Sequence, residues 1–364
     1  MRATPARVLV ARRIKPPSFR FSAVTPLTAL LAVAPLLRSR RSCGRAFLAV
    51  ALFVRSRRSA KPTRRSLPDL PKHIALIVHG SRAERPDVRH LIGWVREKGH
   101  LVEVLPTFER GDATSLARGA ATRGADVVAA AGGDGTLNEV VNGLDGFDTP
   151  LGVVPLGTAN DFAKQVGIPA DTDHAMDVIL QRKPVRVDTA TMNGRRYINV
   201  STGGVGAEAT AETPPEVKEQ LGPVAYAISG VRKFAELESI RVRVSGPGFA
   251  FDGEMLLFAV GITRATGGGT LVTPRASATD GLLDVCVVEA MSRRDFAGMA
   301  LKLKRGDHLG EPGVHYAQLP WLTIDAVADI AVNVDGEQAE ARSMEYRARR
   351  RDLWVHVTHL PGEE

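Results

Sequence analysis

Residues 126–144 read DVVAAAGGDGTLNEVVNGL, and no other stretch of the chain limits its fold as strongly. Asp126 to Ala131 is almost wholly apolar and too short for a typical helix, so it reads as a buried strand. Gly132, Gly133 and Gly135 then allow a sharp backbone turn and the close approach of a ligand. Thr136 opens a predicted helix whose Leu137, Val140 and Val141 face inward. A strand, a glycine turn and a helix N-terminus together make an anion site, because free N–H groups and the helix dipole point at the ligand. No GK[ST] follows, so the loop is not a P-loop. Asp134 is the informative residue: a carboxylate among phosphate-binding amides repels the ligand unless a divalent cation joins them. A plain Gly-Asp-Gly turn is the alternative reading.

The flanking sequence supplies a setting for this loop. His73 to Val78, Leu101 to Leu105 and Leu151 to Val154 read as further short buried strands. Val88 to Lys98 has helical spacing, with Val88, Leu91, Ile92 and Val95 on one face and Gly99 as a stop; Asp112 to Arg123 is an Ala-rich helix. Alternating strands and helices predict a parallel sheet covered on both faces. Past about Asp188 helical periodicity fades. β-Branched runs follow at 197–201, 240–245, 254–262, 282–289, 321–324 and 329–334, with helices predicted near Val224 to Leu237 and Ser292 to Lys304. The expected architecture is α/β plus β: an N-terminal three-layer α/β domain whose glycine loop suits a nucleotide phosphate, then a β-rich, sandwich-like domain. The boundaries read as a basic extension over 1–69, a nucleotide-binding α/β domain over 70–188, a β-rich domain over 189–345, and a tail over 346–364. In that tail the strand Leu353 to Val357 is a candidate to return to the first domain.

A second loop, Pro155-Leu156-Gly157-Thr158-Ala159-Asn160-Asp161-Phe162-Ala163, follows the 151–154 strand. Asn160 reads as an N-cap and Asp161 as a first-turn acid, opening a helix that ends at Gly167. In open α/β sheets ligands bind at the carboxyl ends of the strands, which would bring Thr158 and Asp161 beside the first loop.

The net charge of +8 invites a nucleic-acid reading that its distribution rejects. Residues 1–68 hold 16 Lys or Arg and no acid, which leaves 32 of the 48 basic residues against all 40 acidic ones, a net −8. The globular part lacks a nucleic-acid footprint. The extension, with apolar runs at 21–37 and 46–54, is open to three readings: a targeting segment, a basic membrane-surface arm, or upstream sequence from a misplaced start, disordered or absent in the working protein. Neither run reaches the length of a transmembrane helix. Cys43 and Cys286 form no metal or disulfide framework and suit a reducing compartment. A cytoplasmic protein is expected, with peripheral contact at the inner membrane face as an option.

GGDGTLNEV (132–140) followed by PLGTANDFA (155–163) resembles the diacylglycerol kinase catalytic domain superfamily, and within it the bacterial YegS-like lipid kinases. The likeness continues through INVSTGGVGAEATAETP (198–214), GGG (267–269), ASATDGLLDV (276–285) and NVDGEQ (333–338), from about Pro71 to the C-terminus. It implies a nucleotide-binding domain of the NAD kinase and phosphofructokinase kind, and an ATP-dependent phosphotransferase acting on a lipid alcohol, such as diacylglycerol or phosphatidylglycerol. Thr107, Gly133, Asp134, Gly135, Thr136, Leu137, Asn138, Glu139 and Thr158 match its ATP-contacting positions. Asp134, Asp161 and Asp188 match acids that organise a catalytic Mg²⁺ through water, and Glu337 matches the general base. Ser277, Asp280 and Leu282 match a second, structural metal site, with backbone oxygens from Ser277 and Leu282; Ca²⁺ can replace Mg²⁺ in the family.

Each of these residues also has a bland reading. Glu337 is a hairpin tip, Asp280 an Asp-Gly turn, and Leu282 and Leu283 core residues. Gly204 to Ala209 fits the dinucleotide pattern GxGxxA, but Pro214 and Pro215 stop the following helix too early. No GxSxG or HExxH occurs. The expected function is an ATP-dependent lipid kinase with ATP as co-substrate. An NAD kinase-like enzyme and a non-catalytic nucleotide-binding regulator are the alternatives.

Overall fold

The computed structural model describes residues 70–204 and 238–360. The basic extension, the predicted 224–237 helix and the bulk of the GxGxxA stretch lie outside them. In chain order the first elements are β1 (His73–His79), α1 (Pro86–Glu97), β2 (Leu101–Thr107), α2 (Asp112–Thr122), β3 (Val127–Gly132), α3 (Asp134–Gly143), β4 (Leu151–Pro155), α4 (Asp161–Gln165) and α5 (Thr172–Gln181). The four strands are parallel, in the spatial order β2-β1-β3-β4.

The uninterrupted apolar character of β1 follows from burial on both faces. Side chains alternate along a strand. Ile74, Leu76 and Val78 pack with Val88, Leu91 and Val95 of α1 and Met176 and Ile179 of α5. Ala75 and Ile77 share the opposite core with Ala113, Ala117 and Ala120 of α2 and with Val140 and Val141 of α3. Small residues let the α2 and α3 backbones approach closely: a Cβ on Gly143 would lie 2.4 Å from the Thr114 carbonyl oxygen.

The remaining elements are β5 (Val185–Met192), β6 (Arg195–Tyr197), β7 (Val200–Gly204), β8 (Ile240–Gly246), β9 (Phe249–Gly261), β10 (Leu283–Glu289), α6 (Arg293–Arg305), β11 (Val314–Leu319), β12 (Trp321–Val334) and β13 (Glu337–Val355). Their pairings are antiparallel. Helix α6 lays Phe296, Met299 and Leu303 on the outer face of β9 and β10. Strand β13 ends beside β4, with Val355 in parallel register with Leu151, so the described strands are hydrogen-bonded into one network.

Two strands are longer than the sequence suggests. The runs at 321–324 and 329–334 belong to the single strand β12, interrupted by a register shift between Asp325 and Ile330. The exposed residues 327–329 break the alternation there. Strand β13 begins at Glu337, far upstream of the Leu353 start read from the sequence. It pairs with β12 on one side and β5 on the other. Main-chain bonds on both edges therefore hold a strand rich in charged residues.

Candidate active site

Helix α3 begins at Asp134, two residues earlier than the sequence reading. The loop before it is pressed against the second loop. A Cβ on Gly157 would fall 2.5 Å from the Gly133 Cα and 2.6 Å from the Asn160 Oδ1. Asn160 occupies the N-cap position of α4 but does not cap it. Its backbone is left-handed (φ 48), and its side chain folds back to accept from Gly157 N and donate to Gly157 O, each at 2.9 Å. The residue closes its own loop, and α4 is five residues long.

The two loops are also joined through acids. Asp161 N donates to Asp134 Oδ1 at 2.9 Å, and Gly268 N of the triple-glycine segment donates to Asp161 Oδ2 at 3.1 Å. Burial, then the charges of Asp161 and Asp335, push the Asp134 carboxyl up to about 6, against the pull of the Asp161 and Phe162 amides. An excess of negative charge at a helix N-terminus suits a cation.

A cavity of about 290 Å³ opens beside this helix start. Thr107, Gly135, Thr136 and Glu139 line it together with His79, Phe108 and Arg110. Four of the expected ATP residues therefore converge. Others do not reach it. Leu137 is core, and Thr158 is exposed and outside the lining. Asn138 is fully buried: Nδ2 donates to Asp335 Oδ2 at 2.9 Å and Oδ1 accepts from Arg195 at 3.4 Å. Glu139 lines the cavity while its carboxylate accepts from Gly111 N and Ala113 N, at 3.0 and 3.1 Å, bracing the start of α2.

Glu337 is the first residue of β13, directly after Asp335 and Gly336. Both turn residues have positive φ (50 and 89), as a tight two-residue hairpin requires. The turn is anchored from below. Asp335 accepts from Ile198 N (2.7 Å), Asn199 N (2.9 Å) and Val200 N (3.2 Å) as well as from Asn138. The Glu337 Oε2 is held by the guanidinium groups of both Arg110 and Arg195.

Asp188 lies in β5. Its oxygens accept from Gly281 N and Arg351 N, each at 2.6 Å, and its charge acts on Asp280. The structure thus groups Asp188 with the 276–282 loop. There Asp280 accepts from Leu282 N at 2.9 Å, and burial raises its carboxyl above the usual range, with Asp188 a smaller contributor. The Ser277 hydroxyl meets the Thr279 hydroxyl at 3.1 Å. Leu283 is fully buried, but Leu282 is only half-buried, so the core reading fails for Leu282. Among the described residues no three His, Cys, Asp or Glu side chains converge as a direct ligand set. A cation at either place would complete its shell with phosphate, backbone or water oxygen.

Residues 73–192 match the diacylglycerol kinase catalytic domain, and residues 199–356 match the YegS C-terminal NAD kinase beta sandwich-like domain. A protein of Pseudomonas putida named "Probable lipid kinase YegS-like" is 37% identical over 284 residues, 78% of this chain and 94% of its own. The chain belongs to the YegS-like lipid kinase family. A Yersinia pestis relative of the same name is 36% identical, covering 74% of this chain and 92% of its own. The solved structure of a diacylglycerol kinase from Bacillus anthracis superposes with a TM-score of 0.60 at 20% identity, over 79% of this chain and 97% of that one. That likeness bears on the fold, which is the expected catalytic α/β domain followed by a β-sandwich-like domain. As a member of this family the protein is a kinase, with ATP as co-substrate. Arg110, Arg195 and Asp335 were given no role by sequence reasoning. Asp335 had a local signal, since it sits in the Asp-Gly-Glu run, whereas nothing local marks the two arginines.

Proposed function

We propose that this kinase transfers the γ-phosphoryl group of ATP to a hydroxyl of a diacylglycerol- or phosphatidylglycerol-like lipid, with Glu337 as general base. One observation carries the reading. The turn that bears Glu337 is fastened to the helix that leaves the glycine loop, through Asn138 and Asp335. The carboxylate and the anion-binding helix start are thereby coupled through a rigid, buried contact. Phosphoryl transfer depends on positioning and charge stabilisation more than on covalent help.

The amides of the Gly133 to Thr136 segment would hold the phosphates, and Thr107 would line the nucleotide's cavity. Glu337 would accept the hydroxyl proton of the acceptor. Asp134 and Asp161 would hold Mg²⁺ through water, and the raised Asp134 carboxyl fits such a group. When bound, the cation would neutralise charge on the phosphate oxygens. Asp188 would brace the 276–282 loop, where Asp280 and backbone oxygens of Ser277 and Leu282 would take a second cation, Mg²⁺ or Ca²⁺. Among the described residues no helix is long and apolar enough to cross a membrane. We place the enzyme in the cytoplasm, meeting its lipid at the membrane surface.

The test is radiolabelled ATP offered with mixed lipid vesicles, with NAD, and with buffer alone, for the wild type and Glu337→Ala. Label in lipid for the wild type only is expected. Label in NAD would favour the NAD kinase-like reading, and nucleotide binding without transfer would favour a regulator.

A further inference from the structure

Arg110 and Arg195 reach Glu337 from different segments, yet they are not equivalent. Arg195 lies in β6, and its guanidinium also donates to the buried Asn138 Oδ1 at 3.4 Å. It is tied into the network that fixes the Asp335 turn. Arg110 lies on the loop between β2 and α2, and its side chain is 67% exposed. It lines the cavity that also holds Gly135 and Thr136 of the helix start. Arg110 therefore spans the two places that phosphoryl transfer must connect: the anion-binding amides and the carboxylate beside the acceptor.

Arg110 has more than one anionic neighbour. Both guanidinium groups meet the Glu337 carboxylate, and the Glu139 charge also acts on Arg110. If Arg110 turns to an anion, Glu337 keeps Arg195 and remains a neutral pair. A planar guanidinium matches phosphate oxygens in two parallel hydrogen bonds, and Arg is always charged. The Arg110 end of this pair is open to solvent although the Glu337 side chain is only 12% exposed, so the exchange swaps one anionic partner of the guanidinium for another.

We propose that Arg110 is a catalytic residue, which leaves Glu337 to grip the γ-phosphoryl group during transfer, while Arg195 stays as the positioning residue of the base. This rests on the phosphoryl-transfer reading above. In the step, the acceptor hydroxyl oxygen bonds to the γ-phosphorus. The bond from that phosphorus to the β–γ bridging oxygen breaks, the hydroxyl proton passes to Glu337, and ADP leaves. Arg110 neutralises charge on the non-bridging oxygens and takes no proton.

The experiment uses the full chain with Arg110→Ala, Arg110→Lys, Arg195→Ala and Glu337→Gln. Calorimetry measures the affinity for ADP and for β,γ-imido-ATP in each. Arg110→Ala should leave ADP affinity within about threefold and lower the imido-ATP to ADP preference about tenfold, the weight of a charge-assisted contact. With ATP and lipid vesicles its kcat should fall by about 10² to 10³-fold. Millimolar guanidinium should restore part of that rate in Arg110→Ala and none in Glu337→Gln. Arg110→Lys should recover less than half of the loss, since an ammonium lacks the fork.

An unchanged nucleotide preference together with an unchanged kcat in Arg110→Ala, beside an inactive Glu337→Gln, would overturn the assignment. So would an ADP affinity that falls as far as the imido-ATP affinity. A wild type that binds both nucleotides but labels no lipid would sink the proposed acceptor alone, and the affinity ratio would still decide for or against Arg110.

Discussion

Asn138 Nδ2 donates to Asp335 Oδ2 at 2.9 Å, joining residues 197 apart in sequence. The pair is buried, and Asp335 satisfies three further backbone donors. Burial raises the Asp335 carboxyl despite these donors. Replacing Asp335 by Ala strands three amides and should cost about 3 kcal/mol or more, read from urea unfolding. Asn138→Ala removes one partner and should cost about 1–3 kcal/mol. Equal and negligible costs would show that the turn is held elsewhere.

Gly157→Ala tests the contact between the two glycine loops. The new methyl would sit 2.5 Å from the Gly133 Cα, a backbone atom that cannot rotate away. The loops must part, and the amides of the helix start lose their aim. Affinity for ATP should fall more than about tenfold while the far-ultraviolet spectrum stays that of the wild type.

Asp134→Asn separates stability from function. The wild-type carboxylate is disfavoured by burial and by two neighbouring acids. Removing its charge should raise the stability of the nucleotide-free protein at pH 7.5, on the order of 1–2 kcal/mol in a denaturant melt. Transfer activity should fall at least about 100-fold, because the variant no longer attracts the cation.

His356 gives the pH dependence a clear sign. It is buried against β4, its Nδ1 meets Arg182 O at 2.8 Å, and burial pushes its ring down to about 4, with the Lys72 charge adding to that. The unfolded chain binds this proton near pH 6.5 and the folded one only near pH 4. Stability from His356 is therefore complete above about pH 6.5 and is lost as pH falls toward 4. In that window His356→Leu should show a pH slope shallower than wild type by about 1.4 kcal/mol per pH unit. Using the difference between the two proteins removes the other groups that titrate there.

The strands β1, β3 and β4 were legible because each is buried on both faces and must be apolar along its core, whereas the edge strand β2 is mostly half-buried and showed only a short apolar run. The glycine loop was legible for a related reason: its chemistry depends on backbone, which only a few residues permit. Strand β13 was not, since its pairing with β5 and β12 rests on main-chain bonds indifferent to its charged side chains. Asn160 misled because a good capping residue also closes a loop, and its left-handed backbone decided the outcome.

By itself the sequence determined the two glycine-rich loops, the parallel α/β unit around them, the β-rich second half and the identity of the acidic residues. These depend on patterns within about 20 residues. The tertiary structure alone decided which acids meet: Asp134 with Asp161, and Asp188 with the Asp280 loop. It alone brought Arg110 to Glu337 across 227 residues. Such pairings follow from the register of distant strands and the burial of the turns between them, and a linear chain carries no local mark of either.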